Sequence, residues 1–454
     1  MKYHNATFPI LIQVLLIIFQ KFDDMKRILF VAVVALLNCL IACSQTSKKQ
    51  NGNLSPDSYR DKQFDNQTII PGAERINVYL PFLKGKKVGI FANQTSMVGN
   101  THLVDTLRKS GVDIKVIFGP EHGFRGSASA GEKIGNYTDE KTGIPVVSLY
   151  GTKRKPSAED IKDIDVLIFD IQDVGTRFYT YISSMQEFLE TALENHKPLL
   201  LLDRPNPNGF YVDGPVLDLK FKSFVGMQPV PIVYGMTMGE YAMLLLGEKW
   251  VSEKANEVNA YNITTKETAD TPFHFLVIKC KNYTHKSNYV LPVRPSPNLP
   301  EIQSIYLYPT TCLFEGTVLS EGRGTAKPFE YIGHPSLPKN MFSFTPNPNE
   351  GAKSSKHYGK ICYGWNFGGT PEEVLKKVNN KIQLQWLFDA YKIFPDKDSF
   401  FLKTNSFNRL AGTDMLMQQI KDGKSEEEIR GSWEPKLSEF KTVRKKYLLY
   451  EDFE

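Results

Sequence analysis

The segment Gly119–Gly126 reads GPEHGFRG and sets Glu121 among Phe118, Pro120 and Phe124. A carboxyl with apolar neighbours loses hydration, keeps its proton to higher pH and can serve as a general acid. The same spacing also allows a plain ion pair between Glu121 and Arg125 that orders the loop. Three further loops concentrate amides, carboxylates and guanidinium groups. They are Asn93-Gln94-Thr95-Ser96, the stretch Asp170–Arg177 with Gln172 and Asp173, and the stretch Asp203–Gly209 with Arg204, Asn206 and Asn208. Asp170, Asp173 and Asp203 are each able to supply a second carboxylate. Asp170 and Asp203 are equally suited to capping the next turn or to holding Arg177 and Arg204. A fifth polar loop, Phe314–Thr325, sets Glu315 and Glu321 around Arg323, and its glycines at 316, 322 and 324 permit close backbone approach. Such a set of side chains makes the paired hydrogen bonds that a hydroxyl-rich ligand, such as a sugar, requires. Phe124, Phe178, Tyr179, Tyr181, Tyr234, Phe314 and Phe329 are candidates for stacking on sugar faces.

Several other chemistries lack their residues. The first apolar run is not followed by GxGxxG, and no Gly-rich phosphate loop ends in Lys-Ser or Lys-Thr. GxSxG is absent, which argues against an esterase built around a serine elbow. HExxH is absent, and Glu121-His122 are adjacent rather than four apart on a helix. Cys280, Cys312 and Cys362 form no CxxC pair and no even disulfide set, so buried free thiols are expected. Neither a metal nor a cofactor is expected.

These loops need elements to hold them. Val88–Ala92, Ile114–Phe118, Pro145–Leu149, Asp165–Asp170 and Pro198–Asp203 are short apolar runs separated by helical stretches at 103–110 and 182–194. Continuous apolar runs of four to six residues with helices between them indicate buried parallel strands. The expected fold class is α/β: a Rossmann-like, doubly wound parallel sheet with a second, smaller α+β domain. In an open sheet of this kind ligands bind beyond the carboxyl ends of the strands, and four of the five runs end in the polar loops above. From about residue 275 the texture changes. His274–Lys281 and Ser304–Phe314 read as strands around the Pro-rich Val293–Pro300. Residues 372–393 read as helix broken near Asn379, and 414–422 and 433–449 as helices on either side of an acidic turn, Glu426–Glu428. The organisation expected is 68–275 and 276–454 for the two domains.

The chain has 454 residues, with 55 Lys+Arg, 50 Asp+Glu and a net charge of +5. That balance, without any dense basic cluster, argues against a nucleic-acid partner. From Met25 the chain reads as an export segment: Lys26-Arg27, an apolar run too short for a membrane span, then Leu40-Ile41-Ala42-Cys43. Small and aliphatic residues before a cysteine resemble a bacterial lipobox, with Cys43 as the lipid attachment. Residues 1–43 are thus expected to be a signal segment whose true start is Met25. Residues 44–67, rich in Ser, Gln, Asn and Lys, are expected to be a flexible tether. Loss of residues 1–42 removes four basic and two acidic side chains, and +5 becomes +3. The expected location is outside the cytoplasm, anchored to a bacterial membrane by acyl chains.

The motifs FGPEHGFRG, DIQDVGTRFYTY, LDRPNPNG…DGP, PIVYGMTMGE, PSPNLP and CLFEGTVLSEGRGT, in that order, resemble the exo-β-N-acetylmuramidase family of bacterial peptidoglycan hydrolases. The resemblance runs from about Ile69 to the C-terminus. It implies a Rossmann-like N-terminal domain, a smaller C-terminal domain and a site in the cleft between them. It implies release of N-acetylmuramic acid from the non-reducing ends of peptidoglycan fragments. The alternative of another class is a surface lipoprotein that binds cell-wall sugars without cutting them. On this resemblance Glu121 is the leading general acid, and His122, Asp173 and Arg177 bind or orient the sugar. A bidentate Arg is the natural reader of the lactyl carboxylate, with Arg177, Arg204 and Arg323 as candidates. Asp170, Asp173 and Glu321 compete for the role of second carboxylate. Val293-Arg294 before PSPNLP and Thr310-Thr311 before Cys312 depart from the family pattern.

Overall fold

The five apolar runs all become strands. They are β1 (Lys87–Ala92), β2 (Asp113–Gly119), β4 (Pro145–Ser148), β5 (Val166–Asp170) and β6 (Leu199–Leu202). Short strands β3 (Tyr137–Thr138), β7 (Ile263–Thr264) and β8 (Phe275–Ile278) complete an eight-stranded sheet in the order β3-β4-β2-β1-β5-β6-β8-β7. All its pairings are parallel except β3 with β4. This computed structural model describes residues 68–454 apart from 122, 127–134, 259–262 and 265–272. The export segment, Cys43, the tether and His122 lie outside the described residues. The described residues all fall in one unit, 59–454.

Strand apolarity on both faces has a direct use here. Leu199 and Leu201 enter the larger hydrophobic core, while Leu200 and Leu202 enter the smaller one on the opposite face. Phe169 and Ile168 divide in the same way. The period of two sends alternate side chains to opposite sides, so a sheet covered twice needs unbroken apolar strands. The smaller core is closed by α1 (Ile76–Leu83) and α2 (Leu103–Lys109). The larger core takes in α3 (Tyr181–Glu194) and α4 (Met238–Gly247) and continues without a break into the C-terminal half. Chain order reverses at β1, with β2 and β4 on one side and β5 and β6 on the other. The loops that leave β1, β2 and β5 therefore meet at the switch point, where a crevice opens.

The C-terminal half corrects three expectations. Ser304–Phe314 is not a strand: Ile302–Thr311 is helix α5, continued by a 3-10 turn at Cys312–Gly316. Residues 304–311 are buried on every side, so no helical stripe shows in their pattern. Ile305, Tyr306, Tyr308, Thr310 and Thr311 then read as β-formers. The run at 274–281 contains a strand, β8, but this pairs with β6 in the large sheet rather than opening a second one. The acidic residues Glu426–Glu428 are no turn between helices. They are the first turn of α8 (Glu426–Lys445), where Ser425 and Glu428 form a capping box and the negative charge suits the helix N-terminus. The break near Asn379 is present: α6 (Pro371–Val378) ends on Asn379 in the left-handed region and α7 (Leu384–Ile393) follows. A small antiparallel sheet, β9 (Tyr331–His334), β10 (Phe342–Phe344) and β11 (Cys362–Asn366), has β11 at its centre. Among the described residues no helix is long and apolar enough to cross a membrane.

The end of the chain returns to the sheet. Tyr450 donates its hydroxyl proton to Asp203 Oδ2 at 2.6 Å, and the Tyr450 hydroxyl oxygen accepts from the Cys280 N–H at 2.9 Å. The Leu449 N–H reaches Glu240 Oε1 at 2.8 Å, and Arg444 pairs in bidentate fashion with Asp452. Replacing Tyr450 with Phe strips a buried acceptor and a buried donor of their partner. The expected cost is about 1–3 kcal/mol, read as a fall in the urea midpoint at an unchanged m-value.

Candidate functional site

Beyond the sheet's carboxyl edge lies a half-enclosed cavity of about 80 Å³. Glu121 lines it from the loop after β2. Tyr179 and Tyr181 come from the loop after β5 and the start of α3, and Tyr308 comes from α5. Arg323 and Phe329 come from the 314–331 region. The rings meet edge to face: Tyr181 with Tyr179 at 4.8 Å, Tyr179 with Tyr308 at 6.0 Å, and Tyr308 with Phe329 at 4.8 Å between centroids. They make one continuous aromatic wall with the carboxylate of Glu121 toward one end and the guanidinium of Arg323 at the other. Edge-to-face contacts of this kind add about 0.5–1.5 kcal/mol each beyond burial and fix the ring planes.

Two strand-end side chains close the cavity by holding the Pro-rich turn. Tyr179 donates to the Pro295 carbonyl at 2.9 Å, and Gln94 Nε2 donates to the same oxygen at 3.0 Å. Ser296 and Asn298 of that turn thereby line the cavity, and Asn298 is braced by donating to the Gly351 carbonyl.

Arg323 is fixed before any ligand arrives. Its Nε and Nη2 donate to Glu315 Oε1 at 3.2 and 2.6 Å, its Nε lies 3.3 Å from Glu321 Oε1, and its guanidinium carbon sits 5.0 Å from the Phe329 ring centroid. Phe329 holds this place at φ +64°, a left-handed conformation that costs a non-glycine residue roughly 1–2 kcal/mol. Its N–H donates to the Glu321 carbonyl at 2.7 Å, which locks the turn. Gly322 and Gly324 also have positive φ, as the expected close turn requires. Burial works to raise the Glu321 carboxyl, but Lys356 at 3.0 Å and Arg323 outweigh it and hold it below the usual range. The Lys356 ammonium also donates to the carbonyls of Phe314, Glu315 and Leu319, which ties the whole loop together.

The remaining polar residues singled out in the sequence support the walls. Asp170 and Arg204 form a fully buried bidentate pair, Nε–Oδ1 2.6 Å and Nη2–Oδ2 2.8 Å, and Arg204 also donates to the Met97 carbonyl. Arg177 spends its guanidinium on the carbonyls of Pro215, Val230 and Leu410, and burial pulls it down to about 9. Neither arginine is among the residues that line the cavity; of the three candidates for reading a carboxylate, Arg323 lines it. Asn93 donates to the Tyr181 hydroxyl and accepts from Thr95. Gln172 donates to the carbonyls of Asp173 and Pro205, and Asn206 to that of Met236. Asp203 accepts from Tyr450, Thr237 and the Gly239 N–H. Arg125 pairs with Asp139 through two bonds, not with Glu121. Phe124, Tyr234 and Phe314 are buried in the cores.

Asp173 sits behind the tyrosine wall. It accepts from the Tyr234 hydroxyl and from the Gly175 N–H at 2.7 Å, while its Oδ1 is buried with no hydrogen-bond partner. Burial pushes its carboxyl up to about 6, against the pull of those donors. Among the described residues no group of three or more His, Cys, Asp or Glu is placed to hold a metal ion, and Cys280, Cys312 and Cys362 are buried free thiols.

Two groups of the site, Tyr308 on the cavity wall and Tyr150 behind Glu121, carry no clear signal in the sequence. Tyr308 was hidden by the assignment of residues 304–314 to a strand. Tyr150 follows β4, the one apolar run with no carboxylate or amide side chain in the five residues after it, and its hydroxyl donates to Glu121 Oε1 at 2.9 Å. Its place just past a strand's carboxyl end is the one signal that marks it.

Comparison with known proteins gives one picture along most of the chain. Models of the N-terminal and C-terminal parts of exo-beta-N-acetylmuramidase NamZ match residues 88–303 and 306–450. The chain is 42% identical over 399 residues to the peptidoglycan beta-N-acetylmuramidase NamZ of Bacillus subtilis (strain 168), spanning 82% of this chain and 89% of that one. A crystal structure of a DUF1343 family protein from Bacteroides fragilis NCTC 9343 superimposes with a TM-score of 0.74 at 45% identity, covering 85% of this chain and all of the other. A second protein of that family and organism gives 0.65 at 27% identity, over 84% of this chain and 99% of the other.

The folded carboxyl of Asp173, near 6, lies above the ordinary value of about 3.8 expected in the unfolded chain. Its contribution to stability is full below about pH 4 and is lost as pH rises through about 6. The stability of wild type relative to Asp173→Asn should therefore fall between pH 4.5 and 7.5, by at most about 3 kcal/mol. Denaturant unfolding at the two pH values checks the sign.

Proposed function

The chain belongs to the exo-beta-N-acetylmuramidase NamZ family, and from that premise we propose that it hydrolyses peptidoglycan fragments, releasing N-acetylmuramic acid from their non-reducing ends. The observation that carries the reading is the pairing of Glu121 with Arg323 across one aromatic-walled cavity.

In this reading a pyranose ring lies along the Tyr179–Tyr308–Phe329 wall. Arg323, already oriented by Glu315 and Phe329, takes the lactyl carboxylate, and Glu121 donates a proton to the departing glycosidic oxygen. Ser296 and Asn298 offer hydroxyl and amide groups to the sugar's own hydroxyls. Glu121 and Arg323 are the charged groups that meet the sugar. Asp173, behind the wall, and Glu315 and Glu321, beside Arg323, are further carboxylates, and the acid step of Glu121 requires none of them.

Glu121→Gln keeps the shape but carries no acidic proton, so kcat on a muramic acid–glucosamine disaccharide should fall by roughly 10²–10⁴ with little change in KM. Arg323→Lys keeps the charge but loses the planar fork. It should erode the preference for a muramic acid glycoside over the matching glucosaminide by about 10-fold or more. Full turnover in folded Glu121→Gln would remove Glu121 from the mechanism, and an unchanged preference in Arg323→Lys would remove the lactyl contact.

The lipobox-like sequence before Cys43 and the polar stretch 44–67 support a lipid-anchored, exported protein on a flexible tether. Cys43→Ser should move the expressed protein from the detergent phase to the aqueous phase in a cloud-point partition, without changing the activity of the released protein.

A further inference from the structure

The loop that carries Glu121 does not hold the carboxyl alone. β4 pairs in parallel with β2, and the Leu149 N–H extends that pairing to the Gly119 carbonyl at 2.8 Å. The next residue, Tyr150, is thereby delivered beside the loop that leaves β2. Its half-buried hydroxyl donates to Glu121 Oε1 at 2.9 Å. Tyr150 is not among the residues that line the cavity, whereas Glu121 is. The tyrosine stands behind the carboxyl and reaches one of its two oxygens.

We propose that Tyr150 is the positioning residue of the general acid: by occupying Oε1 as a donor it places the transferable proton of Glu121 on Oε2. The inference rests on the reading of Glu121 as acid. A protonated carboxyl has one hydroxyl oxygen and one carbonyl oxygen, and a neutral tyrosine that donates to Oε1 makes Oε1 the carbonyl. Burial, then the neighbouring Glu121 charge, push the Tyr150 hydroxyl up to about 12, so it remains a donor at any working pH.

The same contact strengthens as the reaction proceeds. The Oε2–H bond breaks and its proton passes to the glycosidic oxygen. The electron pair of the sugar C1–O bond leaves with that oxygen, and water finally supplies the hydroxyl at C1, its other proton replacing, directly or through solvent, the one that Glu121 gave up. Glu121 is left as a carboxylate whose charge is shared by Oε1. A hydrogen bond to an ionised acceptor is roughly twice as strong as one to a neutral acceptor. The Tyr150 bond therefore stabilises the transition state more than the bound substrate, which is the condition for raising kcat.

The test is Tyr150→Phe, which removes one oxygen and keeps the ring. On the natural disaccharide, whose leaving group needs its proton, kcat should fall by about 10- to 100-fold with KM within about twofold. On an aryl muramic acid glycoside with an acidic phenol as leaving group, the fall should shrink to a few-fold, because that group departs without full protonation. A structural defect lowers both rates alike, so equal losses on the two substrates overturn the proposal, as does an unchanged kcat on the disaccharide. In a Glu121→Gln background the Tyr150→Phe change should add nothing; two additive losses would also overturn it. Failure of wild type to cleave either substrate is a different result, because it removes the proposed function itself.

Discussion

The buried pair between Asp170 and Arg204 is the contact on which the site's geometry rests. Both side chains are almost fully out of water, and each is the other's main compensation. Breaking such a pair from one side leaves a bare charge in the interior, at about 3–5 kcal/mol. Asp170 closes β5, Arg204 follows β6, and the guanidinium also holds the Met97 carbonyl beyond β1. Three strand ends are thus clamped at one point beneath the crevice. Ser96 adds a fourth tie, from its hydroxyl to the Asp170 carbonyl. The loops that carry Asn93 and Asp173 leave from a fixed platform, and the tyrosine wall inherits its rigidity.

Above that platform polar groups divide into two kinds. Most face inward and spend hydrogen bonds on backbone carbonyls or amides. Arg177 shows this most plainly, because its bonds to Pro215, Val230 and Leu410 join the sheet-side loops to the C-terminal half. A smaller group faces the cavity, and those charges are restrained by neighbours rather than neutralised by burial. Arg323 carries two carboxylate partners and an aromatic ring, yet still lines open space. The arrangement is pre-organised: the entropy of ordering the guanidinium is met in folding and not at binding.

Much of this was legible in the residues. The five parallel strands followed from unbroken apolar runs, because a sheet covered on both faces leaves no polar position to confuse the pattern. Glu121 and Arg323 stood out because carboxylates and guanidinium groups beside Gly and Pro turns are conspicuous. The division between cavity and scaffold was not legible. Arg177, Arg204 and Arg323 all precede or follow turns, and only the fold shows that two of them point at the interior. Tyr308 was lost for a physical reason: a helix buried on all sides has no polar face, and its β-branched and aromatic residues then argue for a strand. Phe329 was named as a stacking ring, but its left-handed backbone leaves no signature in the sequence.

Asp203 has a consequence of another kind. Its carboxylate is fastened by Tyr450, near the last residue, while its backbone oxygen accepts from the Gly72 N–H, near the first described residue. Ile70 bridges to Lys281 and Asn282 reaches the Thr68 carbonyl a few residues away. The path of the chain is therefore a closed circuit whose knot lies at the end of β6. A partial chain emerging from the ribosome has the central strands in hand but lacks the hydroxyl that completes Asp203, so order of synthesis does not set order of completion. A pull on the leading segment likewise meets the cluster of bonds that secures the trailing one, and cannot peel the structure open from a loose end.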